Sequence, residues 1–380
     1  MDIDSLLEHL KSQNNFRTLL PLHHSGVFVY EKNTKLLNLA SNDYLGLNVN
    51  SALKEQFLHS LQSQDIFFSS SSSRLLSGNF EIYEQCELTL SNLYHKSALL
   101  FNSGYHANIS CIQALCSIPH TFFVIDRLIH ASVIDGLRLG KARFKSFSHN
   151  NMQELEQILS QNAARFRHII VVSEGVFSME GDFAPLKKLV SLKNQFKNMQ
   201  IYLDEAHSVG IIGENGLGLA AHLDVLESID FLILTFGKAI ASMGACMLCN
   251  AQMRHFFINV ARGFIFSTAL PPINVAFSHF IFTQLSRFHK EREYVQNLSR
   301  SIKEHLQKKG YEVLGENHIL SLICGENAQA LDLSARLKKR GIFAPAIKEP
   351  SVPKHTARVR FSLHSALKQE HIESLLGALV

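Results

Sequence analysis

The stretch IYLDEAHSVG, residues 201–210, begins with a short apolar run that is followed at once by the acidic residues Asp204 and Glu205. A second run of the same kind, FLILTFGK, residues 231–238, ends in Lys238. Similar runs of β-branched and aromatic residues come earlier in the chain: SALLF (97–101), TFFVID (121–126) and HIIVVSEG (168–175). Amphipathic segments such as 105–116 and 186–196, with apolar residues three and four apart, separate the runs. This alternation predicts an α/β fold with a mostly parallel sheet covered by helices on both faces.

Charged side chains at the ends of these strands are the first candidates for a site, because ligands gather at the carboxyl edge of a parallel sheet. Asp204 and Lys238 end two successive strong runs. They would form either a buried ion pair that serves structure alone or the pair that a pyridoxal-phosphate enzyme needs. In the second case Lys238 must lose its proton to form a Schiff base, which burial favours. Asp204 must keep the pyridine nitrogen protonated, so that the ring withdraws electrons from a substrate carbanion.

Two further motifs favour the cofactor hypothesis. In FNSGYHAN, residues 101–108, Gly104 and Tyr105 are placed to open a helix, where backbone N–H groups and the helix dipole hold a phosphate. In DRLIHAS, residues 126–132, His130 lies near the start of the next helix. Each motif alone is weak, since glycine before a helix is common and most isolated histidines have structural roles. Together, the predicted phosphate site at Gly104, the aromatic ring of His130, the carboxylate of Asp204 and the amine of Lys238 follow one another along the chain in the order that an aminotransferase-type fold requires.

Four motifs resemble the α-oxoamine synthases: SNDYLGL from Ser41, SEGVFSMEGD around Ser178, DEAHSVGIIGENGLG around Asp204 and TFGKAIASMGA around Lys238. The resemblance runs from about Arg17 to the C terminus. It implies pyridoxal-phosphate fold type I, which is aspartate-aminotransferase-like, with a large domain, a smaller α+β C-terminal domain and a homodimeric assembly. The sequence changes character after Pro271-Pro272. We therefore expect an N-terminal arm (1–41), a large cofactor-binding domain (42–272) and a small domain (273–380).

The resemblance also implies roles for individual residues around the cofactor. Lys238 would carry the cofactor and move protons at the substrate carbon, Asp204 would bond the pyridinium nitrogen, and His130 would stack on the ring. These three form the implied catalytic group. The remaining cofactor contacts implied are His207 at the ring oxygen, backbone donors of Gly104 and Tyr105, and the hydroxyls of Ser178, Thr235 and Thr268, with Ser267 as the alternative to the last.

The substrate contacts implied by the resemblance are Arg17, Asn42, His130, Thr356 and Arg358. For Arg358 the family position implies a clamp on the amino acid carboxylate, which a guanidinium fork fits in bidentate fashion. Arg360 lies on the same face of the predicted strand ARVRFSL, and we expect it to be a solvated polar residue. No metal site is expected, since the CxxC of Cys246 and Cys249 has no second pair at zinc spacing.

The tail KEPSVPKHTARVR, the compact length and FSTALPP before the small domain resemble the biotin-pathway member of the family. The implied activity is that of an acyltransferase, which condenses L-alanine with a pimeloyl thioester and releases carbon dioxide. Sister enzymes that join glycine to an acetyl or succinyl thioester, or serine to a long acyl chain, stay open as alternatives. A true aminotransferase and a non-catalytic scaffold are disfavoured, the scaffold because Lys238 is present. The sequence leaves open the acyl length and whether a carrier protein or coenzyme A carries the acyl group.

Composition limits the partners and the location. Charged residues make up 18% of the 380 residues, below the roughly 25% of typical domains, and a homodimer would bury the resulting apolar surface. The net charge of +4 comes without a long basic run, so nucleic acid binding is not expected. No signal peptide or membrane span is recognisable, and six cysteines suit a reducing cytoplasm. Asn108 heads a glycosylation-like triplet, to which we assign no function without a secretory signal.

Two stretches depart from the family pattern. Ser69 to Ser73 stand where relatives usually have a glycine-rich stretch, and Ala239, Ile240 and Ala241 follow the lysine where relatives usually have glycines. Serine and alanine restrict the backbone where glycine takes positive φ angles freely. We therefore expect these stretches to affect substrate preference and the width of the cavity beside the lysine, without removing a catalytic group.

Overall fold

The computed structural model describes residues 2–61 and 66–379. The chain forms two compact units. The first unit comprises Met1–Val49, Ser178–Asp182 and Glu293–Val380, and the second comprises Asn50–Phe177 and Phe183–Arg292. The three domains expected from the sequence stay a prediction, and their residues 1, 62–65 and 380 lie outside the described residues.

The second unit is built on a seven-stranded sheet. In spatial order its strands are β4 (Ser97–Phe101), β10 (Ala245–Cys249), β9 (Phe231–Thr235), β8 (Met199–Asp204), β7 (His168–Glu174), β5 (Thr121–Asp126) and β6 (Phe144–Phe147). β10 is antiparallel to both of its neighbours, and β9, β8, β7, β5 and β6 pair in parallel. The mostly parallel α/β sheet predicted from the sequence is confirmed.

Helices of the second unit accompany this sheet. They are α2 (Ser51–Ser60), α3 (Glu81–Tyr94), α4 (Gly104–Cys116), α5 (Ala131–Leu139), α6 (Met152–Asn162), α7 (Leu186–Gln195), α8 (Leu219–His222), α9 (Ala251–Val260), α10 (Arg262–Ile265) and α11 (Pro272–Phe282). Ile112 of α4, Val133 of α5, Ile170 of β7 and Ile233 of β9 lie in one buried cluster. Each such side chain stabilises the fold by about 1.5–3 kcal/mol, so this cluster fixes α4 and α5 against the sheet.

Register within the sheet places the polar strand ends side by side. β8 and β9 are adjacent parallel strands, with Tyr202 opposite Phe231 and Asp204 opposite Ile233. The Glu205 amide extends the pairing by donating to the Ile233 carbonyl at 2.8 Å. Asp204 and the Lys238 loop therefore follow neighbouring strands at the carboxyl edge, as the sequence predicted.

The first unit contains two small sheets. One has the order β1 (His23–Ser25), β2 (Phe28–Glu31), β3 (Thr34–Asn38), β13 (Ile342–Phe343), and the other β11 (Val313–Leu314), β12 (Ile319–Gly325), β15 (Ala357–Ser362), β14 (Ala346–Ile347). Its helices are α1 (Ile3–Ser12), most of α12 (His289–Lys308), α13 (Asn327–Lys339) and α14 (Gln369–Ala378). The short segment Ser178–Asp182 joins this unit, where the Gly181 carbonyl accepts hydrogen bonds from the Glu316 amide at 2.9 Å and the Asn317 side chain at 3.1 Å.

Two further features concern membranes and metals. Within residues 2–61 and 66–379, no helix combines the length and apolarity needed to cross a bilayer. The same residues contain no group of three or more His, Cys, Asp or Glu side chains placed to hold a metal ion. Cys246 and Cys249 are buried free thiols in β10.

Candidate active site

Asp204 ends β8 as a buried carboxylate with two hydrogen-bond donors. Its Oδ1 accepts from the Ala206 amide at 2.9 Å, and its Oδ2 accepts from Asn108 Nδ2 at 2.7 Å. The residue is only 5% exposed. A buried carboxylate needs such donors to keep its negative charge, and the arrangement suits a group that faces a cationic ring nitrogen.

Lys238 and His207 meet beside this carboxylate edge. Lys238 follows the end of β9 by three residues, and His207 follows the end of β8 by the same number. Lys238 Nζ lies 2.9 Å from His207 Nε2, and His207 is buried while Lys238 is half-buried. The two predicted cofactor residues are thus hydrogen-bonded to each other.

The start of α4 forms a second part of the site together with Thr235. A Cβ atom on Gly104 would lie 2.2 Å from Thr235 Oγ1, so only glycine allows this close approach. Ser103 caps the helix by accepting from the His106 amide at 3.2 Å, while helix geometry leaves the first amides without intrahelical acceptors. Thr235 Oγ1 is buried and has no hydrogen-bond partner among the described residues. An unsatisfied hydroxyl beside helix-start amides fits a phosphate group.

His130 lies at the N-cap of α5, with its amide donating to Glu174 Oε1 at 2.7 Å. Desolvation lowers the pKa of His130, the charge of Asp204 raises it in part, and the charge of Lys238 lowers it. His130, Asp204 and Lys238 are therefore close enough to act on one another. His130 keeps part of its surface exposed, and the Tyr105 ring meets the imidazole edge-on at 6.3 Å between ring centroids.

Among the described residues, Ser178 and Thr268 accept hydrogen bonds through their carbonyl oxygens. The Ser178 carbonyl, in the first unit, accepts from Arg360 Nε at 2.8 Å. The Thr268 carbonyl accepts from Asn102 Nδ2 at 2.8 Å, and Ser267 Oγ lies 3.3 Å from His106 Nε2. The cofactor roles of Ser178 and Thr268 stay predictions.

In the first unit, the structure brings Thr356 and Arg358 together. Arg358 is 2% exposed and donates to the Thr356 carbonyl and hydroxyl, the Met179 carbonyl and Glu180 Oε1, all at 2.9–3.1 Å. Four of the five guanidinium N–H groups therefore have protein acceptors. A bidentate clamp on a substrate carboxylate requires one of these contacts to open. Arg17 is exposed, with Nη2 at 3.5 Å from Ser351 Oγ.

The expectation that Arg360 is solvated is wrong. Arg360 is 7% exposed, and its guanidinium donates to Asn42 Oδ1 at 3.2 Å and to Ser362 Oγ at 3.0 Å. The oxygens of Ser178 and Tyr44 complete its environment. All residues of β15 are buried, so both faces of the strand are covered and the polar face is satisfied internally. Asn42, predicted to bind substrate, is a partner of this buried arginine.

Sequence reasoning missed several buried polar side chains at the strand ends. Asn108 is 1% exposed and bonds to Asp204, and it stands four residues after Gly104. Residues four apart share a helix face, which was the available signal. Glu205 is fully buried and accepts from the amides of Leu219 and Ala220 at 2.9 and 2.8 Å. Burial raises the pKa of Glu205 to about 7.

Each of the two stretches that depart from the family pattern, the serine run 69–73 and residues 239–241, contains a strained backbone position. Ser71, within the serine run, has φ +52°, and Ala241, after the lysine, has φ +54°. These values lie in the left-handed region, which disfavours residues with a Cβ atom. The serine run is tied down nearby, since Ser70 Oγ donates to the Ala269 carbonyl at 3.1 Å and Arg74 pairs with Glu87.

Comparisons with known proteins extend this description. A family model described as "Aminotransferase class I and II" matches residues 34–379. An 8-amino-7-oxononanoate synthase from Haemophilus ducreyi is 43% identical over 371 residues, which cover 96% of this chain and 96% of that protein.

Solved structures show the same fold. A serine palmitoyltransferase from S. paucimobilis, solved with a bound PLP–myriocin aldimine, matches with a TM-score of 0.90 and 25% identity, covering 99% of this chain and 95% of that one. An 8-amino-7-oxononanoate synthase from Francisella tularensis matches with a TM-score of 0.76 and 25% identity, covering 90% and 96%. The predicted pyridoxal-phosphate fold type I is confirmed.

Proposed function

The chain belongs to the class I and II aminotransferase family, and we propose that it condenses L-alanine with a pimeloyl thioester to give 8-amino-7-oxononanoate. Its relatives support a pyridoxal-phosphate-dependent, acyl-transferring enzyme. The observation that carries the choice of substrates is the 43% identity to an 8-amino-7-oxononanoate synthase over nearly the whole chain, against 25% to a serine palmitoyltransferase.

Pyridoxal 5'-phosphate is the cofactor of this class, and the residues present fit it. In the proposal Lys238 binds the aldehyde carbon, Asp204 the pyridine nitrogen and His207 the ring oxygen, while His130 stacks on the ring. Gly104 and Tyr105 amides and the Thr235 hydroxyl hold the phosphate, with Ser178 and Thr268 as further contacts. When bound, the ring supplies an electron sink for a carbanion at the substrate Cα.

The proton transfers are assigned to Lys238. Its amine would remove the Cα proton of bound alanine and later return a proton to the same carbon. The hydrogen bond to His207 at 2.9 Å supports this role because it orients the amine. Asp204 accepts hydrogen bonds from Asn108 and the Ala206 amide, and it would face the ring nitrogen of the bound cofactor.

The bond changes follow from these roles. Alanine Cα attacks the thioester carbonyl carbon, and the thiol leaves with the electron pair of the C–S bond. The alanine carboxylate is then lost as carbon dioxide, and Cα is reprotonated. The proposed substrate contacts are Arg17, Asn42, Thr356, Arg358 and His130. Arg358 receives the carboxylate if Glu180 gives up its place on the guanidinium.

We also propose a homodimer in the cytoplasm. Phe68, Leu76 and Phe266 are 70–81% exposed in the single chain, and exposed apolar side chains of this kind mark protein interfaces. Analytical ultracentrifugation of the holoenzyme should give a dimer, and a monomer at every concentration would overturn the assembly. Cys86, Cys111, Cys116, Cys246, Cys249 and Cys324 are all free, which suits a reducing compartment. Fractionation of the source cells tests the location.

One observation favours a second candidate, the condensation of serine with a long acyl thioester. The serine palmitoyltransferase structure has a TM-score of 0.90, above the 0.76 of the 8-amino-7-oxononanoate synthase. Backbone likeness reports the fold, whereas substrate choice depends on side chains. The 43% identity to an 8-amino-7-oxononanoate synthase therefore has the greater weight.

Product analysis by mass spectrometry distinguishes the candidates. The purified holoenzyme is incubated with alanine, glycine or serine, each with acetyl, succinyl, pimeloyl or palmitoyl groups on coenzyme A or on a carrier protein. We expect 8-amino-7-oxononanoate from alanine and a pimeloyl thioester as the dominant product. A dominant long-chain ketone from serine would overturn the proposal in favour of the second candidate.

A further inference from the structure

Two buried side chains, Asn108 and Ser132, connect Asp204 to His130 through continuous hydrogen bonds, and the Tyr202 hydroxyl joins them at Asn108. Asn108 lies at the centre, with Nδ2 at 2.7 Å from Asp204 Oδ2 and at 3.0 Å from Ser132 Oγ. Its Oδ1 is 2.8 Å from the Tyr202 hydroxyl, and Ser132 Oγ is 2.7 Å from His130 Nδ1. Asn108, Ser132 and Tyr202 are at most 1% exposed.

The donor and the acceptor can be assigned in each of these hydrogen bonds. A carboxylate only accepts, so the nitrogen of the Asn108 amide faces Asp204 and its oxygen faces Tyr202, whose hydroxyl donates. The second N–H of the Asn108 amide donates to Ser132 Oγ. The Ser132 hydroxyl is therefore free to direct its own hydrogen at His130 Nδ1.

A second contact fixes the state of His130. The backbone amide of Ser132 also points at His130 Nδ1, at 3.3 Å. A proton on Nδ1 would face this N–H, and two donors repel each other. Nδ1 therefore accepts from both groups of Ser132, and the neutral imidazole has its proton on Nε2.

From this geometry we propose that Asn108 and Ser132 are positioning residues, which couple the cofactor carboxylate to His130 and hold His130 as the neutral Nε2–H tautomer. The inference rests on the proposed function, because it assigns His130 to the cofactor and substrate. In this state Nε2 presents a hydrogen-bond donor to the reacting groups, and the charged imidazolium is disfavoured because it would need a proton on Nδ1.

Several titratable groups act on His130, and they come from every element around it. They are Asp204 after β8, Lys238 after β9, Asp135 of α5, Glu174 of β7 and Tyr105 of α4. Within residues 2–61 and 66–379, both hydrogen bonds to His130 Nδ1 come from Ser132. A change at Ser132 therefore alters the proton balance of His130 without altering these charges.

The test uses the Ser132→Ala holoenzyme, with the pH dependence of the bound cofactor's absorption and of alanine binding as readouts. Removing a donor to Nδ1 stabilises the protonated imidazole of His130. The acid limb of both pH profiles should therefore move to higher pH by about one unit, the equivalent of one hydrogen bond. In a His130→Asn background the same substitution should cause no shift. Ser110→Ala is the matched control, since Ser110 is a buried serine of α4 whose hydroxyl has no partner among the described residues.

Asn108→Leu tests the hydrogen bond from Asn108 to Asp204. Asp204 loses a donor, so we expect cofactor affinity to fall about tenfold to a hundredfold, measured by equilibrium titration of the apoprotein. An acid limb that does not move in Ser132→Ala, or moves equally in the His130→Asn background, overturns the proposal, as does unchanged affinity in Asn108→Leu. These readouts need no acyl donor, so they stay informative even if the pimeloyl assignment fails.

Discussion

The amine of Lys238 lies 2.9 Å from Nε2 of His207, although the two residues come from different strand ends. The register of β8 and β9 produces this meeting, because each residue stands three positions after the end of its strand. A directional hydrogen bond fixes the approach of the amine, and a nucleophile held in this way is typical of covalent catalysis.

The first prediction concerns Lys238 itself. Lys238→Ala should abolish turnover and the visible absorption of the covalently bound cofactor, because no other residue is assigned to bind the aldehyde carbon. Borohydride reduction followed by peptide mass spectrometry should label Lys238 in the unaltered enzyme. Lys197→Ala, which removes an exposed lysine, is the control and should retain both label and activity. Normal turnover in Lys238→Ala would show that the assignment is wrong.

The second prediction concerns the approach of Gly104 to Thr235. Gly104→Ala should reduce both thermal stability and cofactor affinity, because the new Cβ would lie 2.2 Å from Thr235 Oγ1. The double variant Gly104→Ala/Thr235→Ala removes that oxygen and should recover stability but not affinity, since the phosphate has lost a donor. Differential scanning fluorimetry and cofactor titration measure the two effects. Recovery of affinity in the double variant would contradict a phosphate role for Thr235.

The third prediction concerns the strained positions Ser71 and Ala241. Glycine at either position should raise the free energy of unfolding by about 0.5–1 kcal/mol, because relief of left-handed strain outweighs the added freedom of the unfolded chain. Urea denaturation measures the change. Ser73→Gly and Ala239→Gly are the controls, since neither residue has a positive φ, and both should be neutral or destabilising. Equal effects at strained and control positions would argue against strain.

The fourth prediction concerns the pH dependence set by Glu205. Burial raises the pKa of its carboxyl from 4.5 to about 7, so the folded state binds an extra proton between these values. Stability from this group is complete below about pH 4.5 and is lost as pH rises towards 7, by a few kcal/mol in total.

Glu205→Gln should flatten this part of the stability profile, since glutamine does not titrate. Its absolute stability should be lower, because an amide NH2 would face the donors that now bind the carboxylate. Urea denaturation at several pH values measures the slope, and Glu227→Gln, an exposed residue, is the control. A slope in Glu205→Gln as steep as in the unaltered protein would refute the assignment.

The strands of the large sheet were largely predictable from the sequence. β4 and β5 coincide with the runs SALLF and TFFVID, because strands that are buried on both faces require continuous apolar side chains. β6 was missed, since this edge strand, FKSF, leaves three of its four residues exposed and lacks an apolar run. The antiparallel direction of β10 was also missed, although Phe236 to Gly244 is too short for a parallel crossover, which needs about a dozen residues or more.

The site was predictable where a residue stands at a strand end and less so where contacts come from distant segments. The neighbouring positions of Asp204 and Lys238 were predictable because parallel strand ends share one edge of the sheet, and their catalytic roles stay predictions. The burial of Arg360 was not, since its acceptors on residues 42 and 178 are remote in sequence. Asn108 was overlooked because its partners, Ser132 on α5 and Tyr202 and Asp204 on β8, are remote in sequence, and its spacing from Gly104 indicates only a shared helix face.

The segment Ser178–Asp182 has a consequence for synthesis on the ribosome. A nascent chain that ends at Arg292 already contains every residue of the second unit. The first unit is incomplete until residues 293–380 have been synthesised. Until then, the carbonyls of Met179 and Gly181 lack Arg358 and Asn317 as donors. Termination at Arg292 would thus release a chain in which the second unit is complete, while residues 178–182 lack the part of the first unit that they contact.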